Sequence, residues 1–311
     1  MTRRLAFLFP GQGSQHVGMG QDFWESSTPT QELFTRANET LGFDLKSLCF
    51  QGPREELNLT ANTQPAILLH SVIAYRFLEE KRIEPVLAAG HSLGEYSALV
   101  AAGSLDVMDA LQLVRKRGRF MQEAVMVGQG AMAAILGLEQ EAVEEACSRA
   151  REKGVVQPAN FNGPAQIVIS GEKEAVKQAA AHAKDMGAKK TVFLPVSAPF
   201  HCPMMVPAEE RLAAELDKAP FQDARFPVVT NFRAETVSQA IQIKEALKGQ
   251  VSAPVRWEES MRLLLRERVD TVIEVGPGKT LLGLMKRIDR RIEGFHVENC
   301  SSLQETLKAL N

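Results

Sequence analysis

Gly90-His91-Ser92-Leu93-Gly94 carries the G-x-S-x-G spacing of a nucleophile elbow, in which a serine sits on a sharp strand-to-helix turn. An apolar run, Val86-Leu87-Ala88-Ala89, leads in; a helical run from Leu93 to Ala102 leads out and stops at Gly103. Such a turn pushes the Ser92 hydroxyl clear of the backbone, and glycine on either side keeps side chains from crowding it. The N-terminus of the following helix aims main-chain N–H groups at negative charge forming on a bound carbonyl. The pentapeptide alone also fits an ordinary small-residue turn; the strand and helix around it favour chemistry.

A serine nucleophile needs a base, and the six histidines are His16, His70, His91, His182, His201 and His296. His182 falls on the solvated face of a helix, His70 in a helical run (Ala66–Leu78) that suits packing, and His296 in the last strand signal. His91 adjoins the serine, but neighbours in a turn point apart. His201 follows Val196-Ser197-Ala198-Pro199-Phe200, at a seam in the chain where a polar residue can face a cleft. Spacing leaves His201, His16 and His91 as rivals. Two further features bear on charge. The loop Pro10-Gly11-Gln12-Gly13-Ser14-Gln15 lacks dinucleotide-binding spacing, but its main-chain N–H groups suit an oxyanion. The helix from Asp106 to about Gln122 carries Arg115, Lys116, Arg117 and Arg119; residues 115 and 119 share a face and Arg117 points elsewhere.

The elements that must position these groups alternate strand and helix, which predicts an α/β fold with a mostly parallel sheet. Arg3–Phe9 reads as a buried first strand rather than a secretory segment, because Pro10-Gly11 cuts the apolar run short. The middle of the chain changes pattern. Ala131–Leu136, Val155–Phe161, Gln166–Ser170 and Lys189–Val196 are strand-like; Glu139–Glu152 and Glu172–Met186 are helical. The order βαββαβ is ferredoxin-like. The expected division is a large α/β domain from 1–127 and 198–311, with an α/β-hydrolase-like core around the elbow, interrupted by a small domain at 128–197. A ligand would sit between them.

Composition is that of an ordinary globular protein: 45% hydrophobic, 24% charged, net charge −2. This balance carries no nucleic-acid signature, and no apolar stretch reaches the roughly 18 residues of a membrane span. Cys49, Cys147, Cys202 and Cys300 are far apart and lack zinc spacing, as expected of reduced thiols in a cytoplasmic protein.

Phe9-Pro-Gly-Gln-Gly-Ser-Gln15, Gln64-Pro-Ala66, Gly90-His-Ser-Leu-Gly-Glu95, Arg117, Phe200-His201 and Glu274-Val-Gly-Pro-Gly278 occur in that order. Together they resemble the malonyl-CoA:acyl-carrier-protein transacylases, the acyltransferases of fatty-acid and polyketide synthesis, over essentially the whole chain. The resemblance implies Ser92 as nucleophile, His201 as general base, and the main-chain carbonyl of Gln250 as the group orienting that base. It implies an oxyanion hole from the N–H groups of Gln12 and Leu93. Arg117 matches the arginine that grips the malonyl carboxylate, and a planar guanidinium suits two-point binding of that group. Gln64 and Asn162 match pocket-lining positions. Phe200, bulky before the histidine, matches malonyl-selective members rather than methylmalonyl-selective ones. Ala198 departs from the histidine common at that motif's start in modular synthases, which suggests a free-standing enzyme.

The implied substrates are malonyl-CoA and acyl carrier protein, with CoA as product and no bound cofactor or metal. Carriers of this kind are usually acidic, so Arg115, Lys116, Lys189, Lys190 and Arg287 are candidate docking cations. A serine thioesterase or hydrolase would use the same elbow, and a non-catalytic carrier-binding module would not need it.

Overall fold

The strands form two β-sheets, one of six strands and one of four. The computed structural model describes residues 3–196 and 198–310; Ser197, at the expected boundary, lies outside the described residues. The strands are β1 (Leu5–Phe9), β2 (Leu87–Gly90), β3 (Gly130–Leu136), β4 (Val156–Gly163), β5 (Gln166–Glu172), β6 (Lys190–Phe193), β7 (Val228–Val229), β8 (Thr236–Val237), β9 (Thr271–Val275) and β10 (Glu293–Val297).

The larger sheet has the order β10-β9-β1-β2-β7-β8. Its pairings are parallel except for the short β7/β8 ladder, which the sequence pattern did not mark. β2 and β9 are buried along their whole length. Strands buried along their whole length suit a parallel sheet covered on both faces; in β9 this buries Thr271 and Glu274 as well. Phe9 at the end of β1 is in register with Gly90 at the end of β2. The glycine-rich loop and the elbow therefore leave the carboxyl ends of adjacent strands, the edge where open α/β sheets hold ligands.

The smaller sheet has the order β4-β5-β3-β6 and is antiparallel throughout. With the helices Gln140–Ala150 and Lys173–Asp185 it runs βαββαβ along the chain. β6 ends at Phe193, short of the expected Val196, where Pro195 has no N–H for a ladder. One face packs Ile135, Ile167 and Ile169 against Val143, Cys147, Val176 and Ala179 of the two helices. The other face gives Met132 and Val168, with Ala159, to the core that contains Phe9, Leu93 and Phe200. No helix among the described residues is long and apolar enough to cross a membrane.

Candidate active site

The elbow is built by close packing of backbone. A Cβ on Gly90 would lie 1.9 Å from the carbonyl carbon of Gly94, and one on Gly94 would lie 2.0 Å from the Phe9 carbonyl oxygen. Only glycine lets the helix Gly94–Ala101 start this close to β1 and β2. Between them Ser92 takes φ 52°, in the left-handed region that a serine seldom occupies. His201 is also left-handed, at φ 59°.

Ser92 Oγ lies 2.8 Å from His201 Nε2 and 3.1 Å from Arg117 Nη2. The other ring nitrogen, His201 Nδ1, is 2.9 Å from the Gln250 carbonyl oxygen. A carbonyl only accepts, so Nδ1 carries the proton and Nε2 is left to accept from the Ser92 hydroxyl. Burial, reinforced by the Arg117 charge, holds the His201 pKa down at about 3. The ring is thus neutral at ordinary pH and can take a proton. Neither His16 nor His91 bonds to Ser92 Oγ, although His91 lines the same cavity. His16 is half-exposed beside Glu298, and His91 Nε2 is 2.8 Å from Asn162 Oδ1 with its ring against Trp257.

Arg117 is 1% exposed. It comes off the inner face of the helix Val107–Glu123, while Arg115 lies over the Phe43 ring and Arg119 pairs with Glu123. Its Nη2 also donates to Gln250 Oε1 at 2.9 Å, and its Nε has no partner among the described residues. Burial pulls the guanidinium pKa below its usual value. A buried cation with spare donors beside a nucleophile is suited to an anionic substrate group.

The sequence did not point to the side chain of Gln250, to Glu95 in this role, or to Asn231. Gln250 Nε2 donates to the Ser92 carbonyl at 2.9 Å and to Glu95 Oε2 at 2.7 Å. Asn231 binds the elbow backbone on both sides of His91. Glu95 is buried, and burial pushes its pKa up to about 7 against the hydrogen bonds from Asn231 and Gln250.

A cavity of about 260 Å³ opens beside Ser92 and His201. Gln12, Asn162 and Phe200 line it, with Gln166 and Val168 from the smaller sheet and Thr280, Leu281 and Leu284 from the helix Thr280–Ile288. Gln64 is not among the lining residues: it is buried in the helix Thr60–Glu80, with Nε2 3.8 Å from Met121 Sδ. The Gln12 and Leu93 main-chain N–H groups have no partner among the described residues. The Glu274–Gly278 motif has a structural task. The Glu274 carboxylate accepts from the N–H groups of Leu281 and Leu282, at 3.1 and 2.9 Å, and so fixes the start of the helix that walls the cavity.

The profile of the family described as "Acyl transferase domain" matches residues 6–302. The chain belongs to the acyl transferase family. It is 48% identical over 308 residues to the malonyl CoA-acyl carrier protein transacylase of Bacillus subtilis, covering 99% of this chain and 97% of that one. Its fold superposes on the malonyl CoA-acyl carrier protein transacylase of Coxiella burnetii with a TM-score of 0.97, at 43% identity, covering 100% of this chain and 98% of that one. A third relative, at 44% identity and a TM-score of 0.96, is a malonyl-transacylase in complex with a type II PKS acyl-carrier protein, covering 98% of this chain and 99% of that one. The acyl transferase fold thus accounts for both sheets and the whole chain.

Proposed function

We propose that the chain transfers a malonyl group from malonyl-CoA to the phosphopantetheine thiol of an acyl carrier protein through an ester on Ser92, supplying fatty-acid or polyketide elongation. The observation that carries this reading is Ser92 Oγ in reach of both a neutral His201 and the Arg117 guanidinium. His201 takes the hydroxyl proton as Ser92 attacks the thioester carbonyl. Negative charge on that oxygen is met by the N–H groups of Gln12 and Leu93. Collapse breaks the C–S bond, and the proton on His201 goes to the departing CoA thiolate. The carrier thiol then enters, His201 takes its proton, and attack on the ester returns that proton to Ser92. Arg117 binds the malonyl carboxylate, and Phe200 and Asn162 shape the pocket. Neither half-reaction consumes a cofactor.

We read 1–127 and 198–311 as the catalytic unit and 128–197 as an insert supplying the far cavity wall. A cytoplasmic site of action is supported by the cysteines, all four of which are free.

Intact-protein mass after brief mixing with malonyl-CoA tests the reading. The expected result is one malonyl adduct, absent from Ser92→Ala and discharged by added carrier. Free malonate as the main product would indicate a hydrolase, and no adduct would indicate a carrier-binding module. Adduct on Ser92→Ala would overturn the nucleophile.

A further inference from the structure

Asn231 sits in the turn between β7 and β8, 139 residues from Ser92 in sequence, and is 1% exposed. Its Oδ1 accepts from the Ser92 N–H at 2.5 Å, and its Nδ2 donates to the Gly90 carbonyl at 2.6 Å. Its own N–H donates to Glu95 Oε2 at 2.9 Å, and its carbonyl accepts from the Arg256 N–H at 3.0 Å. The side chain therefore bridges the elbow, and its backbone is anchored at both ends.

We propose that Asn231 is a positioning residue for the nucleophile: its amide holds Ser92 in the left-handed conformation from which Oγ reaches His201. This rests on the reading of Ser92 as the nucleophile. Three observations support it. A left-handed serine is strained and persists only where its surroundings over-determine it. Gly90 and Gly94 make room for the turn but do not bind Ser92 in it. The residue is held instead at its two main-chain polar groups, the N–H by Asn231 Oδ1 and the C=O by Gln250 Nε2. With both peptides fixed, φ and ψ of Ser92 are fixed, and so is the direction of the Leu93 N–H that follows.

The role needs an acceptor and a donor on one short planar group. Asparagine has both. A protonated aspartic acid also has both, whereas an ionised one sets a carboxylate oxygen against the Gly90 carbonyl. The titratable and charged groups around the elbow are Glu95, Arg117, His201 and His91; Arg233 and Glu235, on the same turn as Asn231, are exposed and pair with each other, and Arg256 contributes its main-chain N–H. Glu95 accepts from the residue 231 N–H, so a second carboxylate at this position is disfavoured in its ionised form.

The test is the single-turnover loading rate from malonyl-CoA, with its KM and pH profile, for wild type, Asn231→Ala and Asn231→Asp. Asn231→Ala is expected to load about 10²-fold more slowly, the scale for a reacting atom displaced by an ångström. KM is expected to change by less than about threefold, since substrate contacts are untouched. Asn231→Asp is expected to be slow at neutral pH and to recover as pH falls. That is opposite to wild type, whose rate falls when His201 takes a proton. A merely structural role would lower the melting temperature without reversing the pH profile. If Asn231→Ala does not fold, the aspartate profile decides. Wild-type loading by Asn231→Ala, or a wild-type pH profile for Asn231→Asp, overturns the positioning role alone. A wild-type chain with no malonyl on Ser92 overturns the underlying reading of the nucleophile.

Discussion

Arg117 Nη2 donates to the same Ser92 oxygen that His201 Nε2 engages, at 3.1 Å against 2.8 Å. The two contacts have different consequences. In the proposed reaction the histidine removes a proton, while the guanidinium charge depresses the histidine's own basicity. On that reading, a malonyl carboxylate pairing with Arg117 would offset that charge, and the substrate itself would strengthen the base.

Arg117→Ala is expected to cut malonyl loading by at least one to two decades, since a charge-assisted hydrogen bond contributes about 1.5–3 kcal/mol. Acetyl loading should be unchanged or faster, because an unpaired buried cation no longer faces a methyl group. Arg117→Lys should rescue in part, lacking the planar fork. The ratio of malonyl to acetyl loading rates checks this. Equal loss for both substrates would mean that Arg117 supports the fold, or grips the CoA, rather than reading the carboxylate.

The acid limb of acetyl loading follows His201. Its pKa is held down at about 3, first by burial and then by Arg117, so activity falls only as pH drops through a value well below the ordinary 6.5. Arg117→Ala removes the second cause, and the limb should move to higher pH. A kcat/KM profile with acetyl-CoA in both proteins measures the shift. A limb that stays in place or moves down contradicts the coupling.

Glycine at the elbow has no substitute. Gly94→Ala drives a Cβ to 2.0 Å from the Phe9 carbonyl, between two fixed backbones, and should destabilise by about 4 kcal/mol or more. Gly283→Ala, in an exposed helical turn with nothing within 4 Å, should stabilise by about 0.5–1 kcal/mol. Urea midpoints of the two variants, read beside wild type, give the comparison.

The candidate docking cations divide. Arg287 is exposed on the helix Thr280–Ile288, which lines the cavity; Lys189 and Lys190 are exposed at the start of β6, opposite Leu136 and away from the cavity; Arg115 and Lys116 line a separate pocket with Thr40 and Leu41. Lys116 is also paired with Glu215 at 2.6 Å. Charge reversal at Arg287 should therefore raise the carrier KM, and reversal at Lys189, Lys190 or Arg115 should do so less. Added salt should raise the carrier KM more than that for malonyl-CoA. A flat salt response for the carrier would sink electrostatic docking.

The parts of the site legible in the sequence are those with local pattern. Ser92 stands in a five-residue motif, and the alternation of strand and helix gave the parallel sheet and the βαββαβ stretch. Arg117 was separable from Arg115 and Arg119 only by helical phase. His201 had no local signature, and it stood out from His16 and His91 only through the ordered set of motifs. Gln250 and Asn231 reach Ser92 across 158 and 139 residues. Asn231 sits in a short turn, where an asparagine is unremarkable. Contacts at that range leave no periodic trace, so the clamp on the elbow becomes visible only in three dimensions.

The smaller sheet gives one face to its own helices and the other to the core that holds Phe9 and Leu93 beside Ser92. It is consequently not a cassette. Met132, Ala159 and Val168 share one core with Phe9, and Val168 and Met132 also line the cavity beside Ser92. Exchanging the segment for that of a relative changes cavity shape and core packing in one stroke. Retuning acyl choice by grafting thus requires matching those inward positions first, and only then the loops that greet the ligand.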